Sequence, residues 1–197
     1  GAKIPEQPAG ALSLMDSAQR PPLIPMRPMK LPMKVSLVAA LALWLVLVAL
    51  NQPLHTAAAP QGIVSLQLAG TAEQTHAILR SWRDGNLAMA RLSLWLDFVF
   101  IVVYLAALLQ LTRHFTRDRP GIRERMVARW VRALFVIAGI SDVAENIVLL
   151  NNFNPPSDSL SLTATILALV KFTGLILGMA GLVVIRASRR RPLTHSH

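Results

Sequence analysis

Three carboxylates and one lysine lie within apolar segments that are long enough to cross a membrane: Asp97, Asp142, Glu145 and Lys171. Placing a charged side chain at the centre of a bilayer costs about 2.5–3.5 kcal/mol even on the mildest scales. Such residues persist where they face a protein interior, pair with one another or form a site. These four residues are therefore the candidates for any chemistry that the chain performs.

Helical spacing adds further polar residues to the same faces. Asp142, Glu145 and Asn146 are spaced i, i+3 and i+4, and residues so spaced are neighbours on a helix surface. The preceding apolar segment presents three polar side chains on one face by the same rule: Ser93, Asp97 and Tyr104. We expect these two faces to meet within the protein.

Lys171 shares a helix face with a glycine stripe: Gly174, Gly178 and Gly181. Glycines at this spacing allow two membrane helices to approach closely, so the stripe predicts that Lys171 points into the protein. At 1.5 Å per residue, Asp97 and Glu145 each lie about 8 Å below the outer end of their segments, and Lys171 lies about 16 Å below its own. The polar faces of three helices are thus expected in the outer half of the membrane.

The cluster carries two carboxylates in excess of its one lysine. A divalent cation held by Asp97, Asp142 and Glu145, with Asn146, would compensate this excess, because hard cations prefer oxygen ligands. Protonation of one or two carboxyls would do the same, and so would a cationic ligand that reaches the cluster from outside. The remaining alternative is a structural network of salt bridges and hydrogen bonds that only stabilises the helix bundle.

Composition places the chain in the membrane. Of its 197 residues, 53% are hydrophobic and only 15% are charged, which is typical of a multipass membrane protein rather than a soluble domain. An α-helix needs about 20 apolar residues to span the hydrocarbon core. The sequence predicts one all-α domain over residues 33–186, a four-helix membrane bundle whose spans cover residues 33–50, 92–111, 130–150 and 160–185.

The basic residues predict an orientation. Sixteen Lys and Arg flank the N-terminus, the second connection and the C-terminus, whereas three lie in the first connection and none in the third. Because cytoplasmic segments carry the excess of Lys and Arg, both termini should be cytoplasmic, and an inner membrane is the expected location. The net charge of +10 then indicates contact with anionic lipid headgroups rather than with nucleic acid.

The remaining segments are short. Residues 1–32 contain seven prolines, which predicts a disordered cytoplasmic arm that could bind a partner. Residues 187–197 are expected to form a basic cytoplasmic tail. Between the first two spans, Thr71 and Gln74 form a capping-box pattern that opens a short amphipathic helix. Its apolar face contains Ile78, Leu79 and Trp82, and it should lie on the outer membrane surface or cover the bundle as a lid.

Several classes of site lack a sequence signal. The chain has no cysteine, which excludes disulfides and thiolate chemistry. No histidine falls within a span, so a bis-histidine haem in the bundle is not expected. No flavin or nicotinamide motif is present. The sequence identifies no catalytic residue, and whether the protein is an enzyme stays open.

A local resemblance adds little to this interpretation. The string Asp142-Val-Ala-Glu145-Asn146, with Leu96-Asp97-Phe98 in the preceding span, resembles small multipass membrane proteins of bacteria, and the resemblance implies no named family and no activity. We expect an outward-facing polar pocket that binds a cation, a proton or a small amphipathic ligand. The rival hypothesis is a non-catalytic subunit or assembly factor, whose partner contacts the glycine stripe or the N-terminal arm.

The predicted orientation can be tested by labelling. Cysteines introduced at Ser65 and Ser157 should react with an impermeant thiol reagent added outside intact cells, because both positions lie in the predicted outer connections. Cysteines at Thr116 and Ser188 should stay unreacted until the cells are opened. Labelling of the second pair alone in intact cells would reverse the orientation.

Overall fold

The computed structural model describes residues 29–117 and 121–188, which form helices and no strand. Two short helices, α2 (Ile63–Gln67) and α3 (Ala72–Ser81), lie between the first two of four long helices. The long helices are α1 (Leu31–Asn51), α4 (Asn86–Thr116), α5 (Ile122–Leu150) and α6 (Asp158–Ser188). Each is long and apolar enough to cross a membrane. The described part of the chain is therefore all-helical, as the sequence predicted, and its four long apolar helices are compatible with a multipass membrane protein.

The helices extend beyond the predicted spans. α4 begins six residues before the predicted residue 92, and α5 begins eight residues before residue 130. Hydrophobicity marks only the part of a helix in hydrocarbon, while the helix continues through polar residues at the membrane border. Most of the proline-rich arm predicted over residues 1–32, and the tail after residue 188, lie outside the described residues.

The long helices differ in how much of their surface they bury. α6 packs along α5, α5 packs on α4, and α4 packs on α1, whereas α4 and α6 touch only briefly. In the most apolar stretch of α5, 44% of residues are buried, against 6% in the corresponding stretch of α1. The interior of the protein is therefore built mainly from α4, α5 and α6, with α1 at the periphery.

The glycine stripe of α6 faces α5. A side chain at Gly174 would meet the backbone oxygen of Leu134 and the Cβ of Ala138 at 3.0 and 3.1 Å. Side chains at Gly178 and Gly181 would collide with Phe135 and Val131, also on α5. The expected close approach is confirmed, and its partner lies within the chain. The stripe therefore contacts α5 within the described residues, and a partner protein at the stripe or the N-terminal arm stays a prediction of the rival hypothesis.

The connection between α1 and α4 folds over one end of the long helices. α3 begins as predicted, because the Thr71 hydroxyl accepts a hydrogen bond from the Gln74 backbone N–H at 3.2 Å. Its apolar face is buried, with Ile78 and Trp82 fully inaccessible to solvent and Leu79 7% exposed. These side chains pack with residues of α4, α5 and α6. The sequence predicted that this helix lies on the outer membrane surface or covers the bundle as a lid. The packing is that of a lid.

Polar contacts hold this lid together and join it to α6. The indole Nε1 of Trp82 donates to the backbone oxygen of Leu54 at 2.8 Å. At the start of α3, the backbone N–H of Ala72 donates to Oδ1 of Asp158, the first residue of α6, at 2.7 Å. The buried Trp82 indole, paired in this way with Leu54, avoids an unpaired desolvation cost of about 1–3 kcal/mol. The lid is thus a packed part of the domain.

Substitution of Gly178 tests the contact between α5 and α6. Gly178→Leu should lower the free energy of unfolding by about 1–3 kcal/mol, because the larger side chain would overpack the contact with Phe135. Met179→Leu, which changes a 45% exposed neighbour on α6, is the matched control and should have little effect. Thermal unfolding in detergent measures both, and an unchanged midpoint for Gly178→Leu would mean that the two helices do not meet there.

Candidate functional site

Lys171 joins α5 and α6 through two ion pairs. Its Nζ lies 2.9 Å from Oε1 of Glu145 and 3.3 Å from Oδ1 of Asp142. The three residues are buried, with Glu145 fully inaccessible to solvent. The ammonium also lies 4.6 Å from the centre of the Phe172 ring. One cation thus lies between two carboxylates in the interior.

Hydrogen bonds extend the cluster to α4. The Tyr104 hydroxyl donates to Oδ2 of Asp142 at 2.7 Å. The Asn146 amide Nδ2 donates to Oδ2 of Asp97 at 2.8 Å and, more weakly, to the backbone oxygen of Leu94 at 3.4 Å. The structure therefore brings together all but one of the residues that the sequence proposed for the site: Asp97, Tyr104, Asp142, Glu145, Asn146 and Lys171.

Ser93 is the predicted site residue that stays apart. Its side chain is buried, 4% exposed, on the same face of α4 as Asp97. Within the described residues it makes no side-chain hydrogen bond to the cluster. Ser93 shares a helix face with Asp97, as its spacing predicts. A shared face alone does not bring the Ser93 hydroxyl within hydrogen-bond distance of a carboxylate.

Two acceptor atoms of the cluster have no donor. Glu145 Oε2 and Asn146 Oδ1 are buried and find no hydrogen-bond partner among the described residues. Because Nδ2 of Asn146 already donates to two oxygens, its amide is oriented with Oδ1 as the free acceptor. Buried polar atoms are nearly always paired, and each exception needs an explanation such as water, an ion or a catalytic role.

The residues do not form a metal-binding group. In residues 29–117 and 121–188, no set of three or more His, Cys, Asp or Glu side chains is arranged to hold a metal ion. The reason is visible in the geometry: the Lys171 ammonium occupies the position between Asp142 and Glu145, and Asp97 is held by Asn146. The three carboxylates that we considered as metal ligands thus already bind protein groups.

An apolar groove lies elsewhere, between α5 and α6. It has a volume of ≈ 320 Å³. Its lining consists of Leu134, Ile137, Leu169, Val170, Thr173 and Gly174. None of the cluster residues lines it, so this groove is not the polar pocket that the sequence led us to expect. Asp97 is the only ionisable member of the cluster that is partly exposed; the others are buried.

Sequence reasoning missed a second buried polar group beneath the lid. The hydroxyl of Ser161 on α6 contacts the Thr75 hydroxyl at 2.8 Å and accepts from Nδ2 of Asn152 at 2.9 Å. All three side chains are at most 2% exposed. A signal was available, because Ser161 occupies a buried face of α6 on which Ala164, Ala168 and Lys171 follow. These groups satisfy one another and fasten the lid.

Comparison with protein-family models, with curated proteins and with solved structures gave no match. Three carboxylates, one ammonium and two free buried acceptors form an environment that can receive a positive charge. The same groups tie three membrane helices together.

Replacing Lys171 tests the electrostatic role of the ammonium. Lys171→Met should lower the stability by about 3–5 kcal/mol, because it leaves buried carboxylates without their cation. Adding Asp142→Asn should recover part of this loss, since it removes a carboxylate that Lys171 compensates. Tyr104→Phe, which removes one hydrogen bond and no cation, should cost only about 1 kcal/mol. Thermal unfolding of the variants in detergent measures these differences, and a loss no greater than that of Tyr104→Phe would contradict the proposed role.

Proposed function

We propose that this multipass membrane protein takes up and releases a proton at the cluster formed by Asp97, Asp142, Glu145, Asn146 and Lys171. The observation that carries the proposal is the buried Oε2 of Glu145, which has no donor in a cluster of three carboxylates and one ammonium. We place the proton on this oxygen. The expected orientation puts the cluster in the outer half of an inner membrane, with both termini cytoplasmic.

Charge balance supports a proton at this position. With all groups ionised, the cluster carries a charge of −2, from three carboxylates and one lysine. Uncompensated charge is costly in a medium of low dielectric constant. A proton on Glu145 lowers the excess to −1 and leaves the pair between Asp142 and Lys171 intact. The remaining negative charge belongs to Asp97, which is partly exposed and accepts a hydrogen bond from Asn146.

The geometry supports a proton in preference to a metal ion. A metal would have to displace the Lys171 ammonium from its 2.9 and 3.3 Å contacts with the two carboxylates. A proton needs no ligand sphere and leaves these contacts in place. Asp97 is the partly exposed member of the cluster, so we assign it the first contact with protons from outside. Its hydrogen bond with Asn146 connects it to α5.

Infrared spectroscopy can detect the proposed proton directly. A protonated carboxyl group absorbs at a frequency distinct from that of a carboxylate, and the band shifts on exchange into D₂O. We expect the wild-type protein in detergent to show such a band near neutral pH and Glu145→Gln to lose it. Glu73→Gln, which changes an exposed carboxylate of α3, is the control and should keep the band.

The pH dependence of stability gives an independent measurement. If the folded protein holds a proton that the unfolded chain releases near neutral pH, stability falls as the pH rises, by at most about 1.4 kcal/mol per pH unit for one proton. Glu145→Gln should flatten this slope without loss of stability at the higher pH, because it removes a buried charge. Asp97→Asn should show the same direction, since it removes the other excess carboxylate.

Two results would overturn the proposal. If the wild type shows no protonated-carboxyl band between about pH 5 and about pH 8, the cluster is a structural network. If the band survives in both Glu145→Gln and Asp97→Asn, the proton lies elsewhere. The rival hypothesis of a complex subunit makes its own prediction, because a stoichiometric partner should then co-purify through detergent washing.

A further inference from the structure

The groove between α5 and α6 is apolar and open at the surface of the two helices. Its lining is apolar except for Thr173, and four of its six residues are exposed: Ile137, Leu169, Val170 and Thr173. Val170 and Ile137 are 40% and 49% exposed. At the bottom of the groove, Gly174 has no side chain to fill the space, and this lets α6 contact the α5 backbone at Leu134. An acyl chain of a phospholipid has the matching shape and polarity.

The α5 residues of the groove continue in helical rows toward one end of the helix. Ile137 is followed in its row by Ala133 and then Arg129, at i−4 and i−8. Leu134 is followed by Trp130, which is 62% exposed. Eight residues of α-helix span about 12 Å, which is less than the ~15 Å of one hydrocarbon leaflet. A chain in the groove would therefore reach the membrane border beside Trp130 and Arg129.

The end of these rows is strongly basic. Arg125, Arg129 and Arg132 are exposed and spaced i, i+4 and i+7 on α5. Within the described part of the chain, Arg129 has no ion pair or hydrogen bond through its side chain. The planar guanidinium of arginine binds phosphate oxygens with two parallel hydrogen bonds, and tryptophan favours the border between hydrocarbon and headgroups.

We propose that this surface is a binding site for one anionic phospholipid. An acyl chain lies in the groove between α5 and α6, Trp130 lies at the level of the glycerol, and Arg129 binds the phosphate, with Arg125 and Arg132 favouring an anionic headgroup. The site lies at the arginine-rich end of α5, whichever leaflet of the membrane contains that end. It is also independent of proton uptake at the buried cluster.

Native mass spectrometry of the purified protein in detergent tests the site, with phosphatidylglycerol and phosphatidylcholine as probes. The wild type should retain one phosphatidylglycerol in preference to phosphatidylcholine. Arg129→Gln should weaken retention of phosphatidylglycerol about tenfold, which corresponds to ~1.4 kcal/mol, and should leave phosphatidylcholine unchanged. Val170→Trp should weaken retention of both lipids, because the indole fills the groove.

Matched variants separate a site from the surrounding lipid layer. Ile166→Trp changes a 51% exposed residue of α6 outside the groove, and Arg113→Gln removes an exposed arginine of α4; both should behave as wild type. Thr173→Phe fills the same groove as Val170→Trp and replaces it if that variant fails to fold. Equal retention in all variants would mean an unspecific lipid layer only and would overturn the proposal. So would a preference for phosphatidylglycerol that survives Arg129→Gln.

Discussion

The contact of the Lys171 ammonium with Asp142 and Glu145 is the interaction on which the interior depends. Lipid offers no hydrophobic driving force between helices, so helix association in membranes relies on close packing and polar contacts. Here the two act on the same seam. The glycines of α6 bring its backbone against α5, and one turn away the ammonium binds two carboxylates of α5. A charge that would be costly in lipid thereby becomes a fixed link.

The same link explains the position of α4. Asp142 has a second oxygen, which accepts from Tyr104, and Asn146 follows Glu145 on α5 and donates to Asp97. Both partners are on α4, so the polar face of α5 holds α6 on one side and α4 on the other. α1 has no share in this network, and its only buried residue is Met33. Its place in the fold rests on apolar contact with α4 and on the lid that follows it.

Sequence reasoning predicted the spans, the glycine contact and the residues that converge, because hydrophobicity and helical spacing determine which side of a membrane helix is buried. Helical spacing could not predict which residues of the cluster bind one another. The depth estimate placed Asp97 level with Glu145 but could not decide that Asp97 bonds Asn146 while Lys171 binds the other two acids. That choice depends on side-chain length and on the separation of α4 from α6. Helical spacing likewise could not predict that the groove between α5 and α6 is apolar and is lined by none of the cluster residues, because that depends on how the side chains pack.

The buried cluster and the apolar groove both lie along the contact between α5 and α6, and Gly174 is near each of them. Three residues after Lys171, it lies in the contact that brings α6 against Leu134 and Ala138, and it also lines the apolar groove. Because the two helices approach closely, Nζ of Lys171 lies 2.9 Å from Oε1 of Glu145. The close approach also gives the groove its floor. Both sites therefore depend on the distance between α5 and α6. The buried charges favour a short distance, and the groove exists because Gly174 allows the helices to come that close.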